Sequence, residues 1–240
     1  MLITLLISEF DYKKLTNKLY IFALLILKLK NMKKIILSVA AIFAFGVVSA
    51  QETKFGVKAG LNLANLTGDV ENASTKVGFN VGGFVEIKLS DKFVFQPELL
   101  FSAQGAKSDY SVDYGAGETE KFESTLKLNY LNIPLMAKYY VADKFSLEAG
   151  PQLGFLMSAK SDTDYTYNDG EGYSESASAS VDVKDGFKSI DFGLNLGAGY
   201  DFTENLSAGF RYNLGLSSIS EDSNADVKNA VISVGVGYKF

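Results

Sequence analysis

The last ten residues, Val231 to Phe240, put Ile232, Val234, Val236, Tyr238 and Phe240 at even positions and Ser233, Gly235, Gly237 and Lys239 at odd ones. Successive side chains of a strand point to opposite faces, so this segment is a strand with one apolar and one small or polar face. A helix does not fit, because a helical stripe recurs every three to four residues rather than every two. The strand closes on an aromatic residue at the chain terminus.

The pattern recurs seven times upstream. Phe55, Val57, Ala59, Leu61 and Leu63 form the first set, and Val77, Phe79, Val81, Val85, Ile87 and Leu89 the second. Phe93, Phe95, Leu99, Phe101 and Ala103 form the third, and a fourth segment runs from about 126 to 141. Sets beginning at Phe145, Ile190 and Leu206 complete the series. Segments of about ten residues match a tilted strand crossing a bilayer. Three connections are short (90–92, 142–144, 202–205) and four are longer (66–76, 104–122, 159–187, 217–229). Strict short–long alternation is the parity of an outer-membrane barrel, with short periplasmic turns and longer outer loops. The expected fold class is all-β: an eight-stranded antiparallel up-and-down transmembrane β-barrel.

A soluble lipocalin-like barrel also alternates, with its apolar face inward. The second face decides between them. It carries Gly56, Gly60, Gly82, Gly154, Gly197, Gly199, Gly235 and Gly237. Glycine weakens water-exposed strands, whereas a narrow interior filled by side chains favours small residues. Glycine is therefore expected inside, with Leu, Val and Phe against lipid.

The N-terminal region reads differently. Met32-Lys33-Lys34, an apolar run from Ile35 to Val48 and the small-residue site Val48-Ser49-Ala50 form a secretory signal peptide over 32–50. Residues 1–31 fit no part of it and are expected to be an over-extended start, outside the fold. The barrel domain is expected over 51–240. Subtracting the seven basic and two acidic residues of 1–50 from 23 and 28 leaves 16 and 26, a balance of −10. That acidity argues against a nucleic-acid partner. The chain has no Cys, so stability comes from the fold without disulfides.

Two features resist the simple pattern. In the fourth segment, Leu126, Leu128 and Tyr130 are apolar at even positions, and Leu131, Ile133, Leu135, Ala137 and Tyr139 at odd ones. This slip predicts a β-bulge at Tyr130–Leu131. Pro97, Pro134 and Pro151 fall inside strands, where each costs a ladder bond or marks a bulge.

The order of signal peptide, Phe55-Gly56-Val57-Lys58-Ala59-Gly60-Leu61-Asn62, Gln96-Pro97-Glu98-Leu99, Tyr130-Leu131-Asn132-Ile133-Pro134-Leu135, Gly150-Pro151 and Arg211-Tyr212-Asn213-Leu214-Gly215-Leu216 resembles the PorT-type outer-membrane β-barrel family. The resemblance spans 51–240 and implies an eight-stranded barrel of OmpA/OmpX size, with Pro tolerated in its strands. It supplies no reaction.

Candidate site residues follow from the inward face. Lys58, Glu86, Glu98, Lys138, Glu148 and Arg211, the only Arg of the chain, are expected as an interior charge network. A polar pathway or gate is one reading of them. The other, favoured by the width of an eight-strand lumen, is an ion-paired structural plug. Tyr238 and Phe240 are read as a terminal-strand assembly signal. Loop 159–187, with Tyr165, Tyr167, Tyr173 and a Ser/Ala tract at 174–180, is expected to be a solvated outer loop and a surface for a protein partner. Asp162-x-Asp164 opens like a calcium loop, but Tyr167 stands where the sharp turn needs Gly. Without His or Cys, catalytic triads, Cys–His pairs and His-ligated zinc are excluded. No catalytic residue, cofactor or metal is assigned. The expected function is a structural or interaction role as a surface-loop platform or an envelope or secretion component, with a small pore as the alternative and a soluble lipocalin-like binding barrel after it. Lipid and the barrel-assembly machinery are the expected partners.

Overall fold

The computed structural model describes residues 53–70 and 72–240; the expectations for 1–31 and 32–50 lie outside the described residues. Nine strands follow in order: β1 (Thr53–Gly68), β2 (Ser74–Lys88), β3 (Phe93–Gly115), β4 (Glu118–Ala142), β5 (Phe145–Asp169), β6 (Ser174–Asp182), β7 (Ile190–Asp201), β8 (Leu206–Gly215) and β9 (Val227–Lys239). Eight of them close an antiparallel ring, β1-β2-β3-β4-β5-β7-β8-β9, in which β9 returns to β1 from Gly56↔Lys239 to Gly68↔Val227. Closure is what lets strands face lipid, because it leaves no unpaired backbone edge in the ring. Among the described residues no helix is long and apolar enough to cross a membrane.

The alternation sorts side chains as the two periods require. Phe55, Val57, Leu61, Leu63, Val77, Phe79, Val81, Phe192, Leu196, Val234 and Val236 are exposed on the outer wall. Around the short-turn end, Phe93 packs on Tyr139 (4.8 Å between centroids), Tyr200 on Phe202 (5.2 Å) and Tyr238 on Phe240 (5.4 Å). Such an aromatic girdle marks a membrane interface. The glycines of the inner face make room for that face's large residues. A Cβ on Gly56 would fall 2.2 Å from the ring of Phe84, an inward, buried residue of β2.

Three expectations need correction. First, the apparent slip in β4 is not a bulge of that strand. Leu128, Tyr130, Asn132, Pro134, Met136 and Lys138 are all buried on the inner face. The irregularity lies on β5: Asn129 pairs with Ser158 but Tyr130 with Leu156, so Met157 is the extra residue. In β4 it is the environment that changes, from a polar lumen below Asn132 to an apolar layer above it.

Second, the connection expected at 104–122 is almost entirely strand. β3 and β4 continue in register to Asp113↔Thr119 and turn at Ala116-Gly117. Third, segment 159–187 is not a plain loop, because β5 runs to Asp169 and pairs with β6 from Lys160↔Asp182 to Asn168↔Ser174. The upper ends of β3, β4 and β5, with β6, thus form a four-stranded sheet projecting beyond the ring.

The prolines mark gaps rather than bulges. The ladder skips between Pro97↔Leu135 and Leu100↔Asn132, and between Pro134↔Gln152 and Ala137↔Ala149, with the register unchanged across each gap. The lost donors are concentrated on three adjacent strands, and the ring stays closed.

Candidate functional site

The lumen is filled in layers. Nearest the short-turn end lies a single chain of alternating charges: Lys58–Glu98 (3.2 Å), Glu98–Arg211 (2.8 Å), Arg211–Glu148 (2.9 Å), Glu148–Lys138 (3.6 Å), Lys138–Glu86 (2.9 Å), Glu86–Lys239 (3.3 Å) and Lys239–Asp201 (3.1 Å). The Tyr140 hydroxyl caps its end by donating to Asp201 at 2.8 Å. Each of the eight ring strands contributes one member, so the chain ties every strand to the centre. Glu98 is fully buried and takes a two-pronged contact from Arg211, at 2.8 and 2.9 Å, plus Gln96 Nε2 at 2.6 Å. The geometry is the planar fork-to-carboxylate match that only Arg provides. Four cations meet four anions, so the buried set is neutral as a whole.

Above this lies an amide layer. Asn80 donates to Asn62 (2.7 Å), Asn62 to Ser102 (3.0 Å), Asn213 to Asn195 (3.1 Å) and Asn195 to Gln152 (3.2 Å). Asp191 then accepts from Asn229 (2.9 Å) and Ser217 (3.2 Å). The outermost layer is apolar: Leu66, Ala106, Leu128, Tyr130, Leu156, Ala159 and Ile219, the last reaching in from the segment after β8. Around Lys58, Glu148 and Arg211 the remaining empty space is about 30 Å³, against about 820 Å³ in the vestibule at the short-turn end. Space of the first size holds a water or two and no more.

The structure thus brings Lys58, Glu86, Glu98, Lys138, Glu148 and Arg211 into one contact chain. Sequence reasoning missed Lys239 and Asp201. Lys239 sits on the small, polar face of the terminal strand, and that parity was the available signal. Asp201 sits at a strand end beside a turn, where an acidic residue ordinarily means solvent. Tyr238 and Phe240 lie on the outer wall, Tyr238 between Val57 and Leu206, and the Phe240 amide donates to the Phe55 carbonyl at 2.8 Å. Among the described residues no group of three or more His, Cys, Asp or Glu is arranged to hold a metal.

The projecting sheet has two unlike faces. Cross-strand rows run Tyr110–Phe122–Tyr165–Ala177 and Val112–Glu120–Tyr167–Glu175, on the face continuous with the lumen. The Phe122 and Tyr165 rings are 4.9 Å apart. Tyr114 and Tyr165 both donate to Glu120, at 3.2 and 3.3 Å, and Tyr167 donates to Glu118 at 2.9 Å. These contacts push the three phenols up: the Glu120 hydrogen bond leads for Tyr114, desolvation for Tyr165 and the Glu118 hydrogen bond for Tyr167. The opposite face is polar. There Lys121 pairs with Glu123 (2.6 Å), Lys127 with Asp162, Ser178 with Asp164 (2.6 Å) and Ser180 with Asp162 (2.6 Å). Strand alternation puts Lys107, Lys121, Lys127 and Lys160 all on this second face, leaving Glu118, Glu120 and Glu175 without a cation on the aromatic one.

A family model described as outer membrane protein beta-barrel domain matches residues 49–221. Among solved structures, the chain is similar to Neisserial surface protein A at 16% identity, covering 79% of this chain and 100% of that one, with a TM-score of 0.44. It is also similar to the attachment invasion locus protein Ail of Yersinia pestis at 14% identity, covering 79% and 99%, with a TM-score of 0.39. No curated protein matches significantly.

Proposed function

The chain belongs to the outer membrane protein beta-barrel domain family, and from that premise we propose that it is a closed, non-conducting barrel whose role is to hold the four-stranded sheet at the cell surface. The observation that carries this reading is the layered filling of the lumen. A permeant solute would have to displace a neutral eight-member charge chain, an amide layer and an apolar layer in turn. Each displacement exposes buried polar groups or opens a cavity, and nothing in the pathway replaces the lost contacts. The short-turn vestibule is lined by Glu86, Asp201 and Lys239, three members of that charge chain. The role is structural and interactive rather than enzymatic, in keeping with a chain that has neither His nor Cys. The purified, folded barrel inserted in planar bilayers is expected to give no steady channels; reproducible single-channel steps would refute the closed-barrel reading and favour a small pore.

Export through the signal peptide at 32–50 and insertion by the barrel-assembly machinery complete the proposal. Tyr238 and Phe240 serve as the assembly mark. Phe240 is 72% exposed and contributes one backbone bond to the ring, so its removal leaves the folded barrel nearly intact. Deleting it is therefore expected to reduce the amount recovered in outer membranes while leaving refolding in detergent unchanged. Equal loss in both settings would reduce Phe240 to a structural residue.

A further inference from the structure

The projecting sheet ends at one side on the upper part of β3, where pairing with β2 stops at Ser74↔Lys107, and at the other on β6, which pairs with β5 alone among the described residues. Edge strands are usually blunted by charged side chains, above all Lys, by Pro or by a bulge. Ser174-Glu175-Ser176-Ala177-Ser178-Ala179-Ser180-Val181-Asp182 has no Lys, Pro or bulge, its charges are Glu175 and Asp182 alone, and its register with β5 is unbroken. The Asp169 amide donates to the Tyr173 carbonyl and the Val183 amide to the Ala159 carbonyl, both at 3.1 Å. In an antiparallel pair the bonded positions alternate, so the odd residues of β6 bond β5. The backbone groups of Ser174, Ser176, Ser178 and Ser180 then point outward, available to another strand.

The side chains next to this edge say what such a strand would carry. Its residues on the aromatic face would stand beside Glu175, Ala177 and Ala179, in the rows of Tyr167, Tyr165 and Thr163. The methyl of Ala177 leaves the gap toward the Tyr165 ring, about two strand spacings or ~10 Å from the added strand, unfilled. A Lys or Arg is long enough to lie across Ala177 and bring its charge to the Tyr165 ring. Nearby, Glu120 and Glu175 have no cation of their own on that face among the described residues. Aromatic rings with carboxylates behind them attract cations, and an anionic glycan or lipid headgroup would be repelled. A second copy of the chain docking edge to edge would set Glu175 and Asp182 of each copy against the other's acidic edge. One exposed cation contact is weak, so the occupant must make several at once, and a polypeptide strand does so while also pairing its backbone.

We propose that the β6 edge accepts an extended, Lys- or Arg-bearing polypeptide segment as an added strand, its cations lying over Ala177 and Ala179 against the tyrosine and glutamate face. The inference rests on the platform reading above and names the class of partner.

The test uses the full barrel in neutral detergent micelles and a fluorescent nine-residue peptide alternating Lys and Thr, with a Glu/Thr peptide as control. The Lys/Thr peptide is expected to bind, the Glu/Thr peptide not. Ser176→Pro removes an outward N–H without touching a bond to β5, a placement edge strands tolerate. It is expected to weaken binding about tenfold while far-UV circular dichroism stays the same. Glu118→Gln with Glu120→Gln is expected to weaken it about fivefold and flatten its salt dependence. Failure of the Lys/Thr peptide to bind, equal binding of both peptides, or full binding by Ser176→Pro overturns the proposal. So does preference for a sulfated oligosaccharide, or self-association that Ser176→Pro abolishes. Bilayer conductance bears only on the closed-barrel reading, so the two can fail separately.

Discussion

Replacing Arg211 by Leu cuts the lumenal charge chain at a defined place. Two fragments remain. Lys58–Glu98, at 3.2 Å, is neutral and keeps the Gln96 donor at 2.6 Å. Glu148–Lys138–Glu86–Lys239–Asp201 is left with two cations for three anions, and its excess negative charge sits at Glu148, whose nearest remaining cation is 3.6 Å away. Breaking a buried pair from one side typically costs 3–5 kcal/mol, mostly for the charge left behind. Because Glu98 stays neutralised by Lys58, the low end applies, and a loss of about 3 kcal/mol is expected. The imbalance also says which second change helps. Adding Glu148→Gln restores neutrality in the longer fragment and is expected to recover about half of the loss. Adding Glu98→Gln instead strands Lys58 and recovers nothing. Urea unfolding in detergent, followed by tyrosine fluorescence, measures all four proteins; the chain has 13 Tyr and no Trp. An Arg211→Leu protein within about 0.5 kcal/mol of the wild type, the range of ordinary surface changes, would show that Arg211 does not hold the charge chain together. Rescue by Glu98→Gln equal to that by Glu148→Gln would show the same.

Other consequences are as direct. Leu61 is 64% exposed on the outer wall, between Phe79 and Val234. Leu61→Arg is expected to cost about 2–4 kcal/mol for a barrel folded in lipid vesicles, the range for a cation near the bilayer midplane. An unchanged folding midpoint in vesicles would remove lipid from that face. The β5–β6 turn depends on the Asp169 carboxylate, which accepts the amides of Tyr173 (2.9 Å) and Glu171 (2.8 Å) and is held below its ordinary value of 3.8 by them. A depressed carboxylate contributes stability that is complete above 3.8 and vanishes as pH falls through the lowered value. The Tyr173 amide resonance is thus expected to hold its position down to that region and move below it, and Asp169→Ala to show the acid-like position at every pH. A Tyr173 resonance that titrates near neutrality would contradict this.

Period-two alternation was enough to separate the two faces of the ring strands, because which side a residue takes is a local property of extended backbone. Val234 and Gly235 face opposite ways whatever lies around them. Alternation does not say what a face meets, and there the sequence reading went astray. Leu128 and Tyr130 share the inner face with Asn132 and Lys138, yet they read as a change of phase, since apolar residues were expected to face lipid. Only the closed tertiary structure makes an apolar layer inside the lumen visible, because its partners Leu66, Leu156 and Ile219 come from distant parts of the chain. Segments 104–122 and 159–187 read as loops for a related reason. Their Ser, Asp, Gly and Tyr look like turn and surface chemistry one strand at a time, and each strand has support only once its neighbours are registered beside it.

What the sequence determined alone is the wall: eight alternating stretches, the sidedness of all but the upper part of the fourth, and glycines where an inner face lacks room. What tertiary structure decided is the order in which charges meet. Lys58 and Glu98 are 40 residues apart, and Arg211 and Glu98 are 113 apart. Their pairing follows from the register and tilt of strands around a closed ring, quantities that no local pattern records. The same holds for the outer edge of β6, which pairs with β5 alone among the described residues, since an edge exists only relative to the strands that are, or are not, beside it.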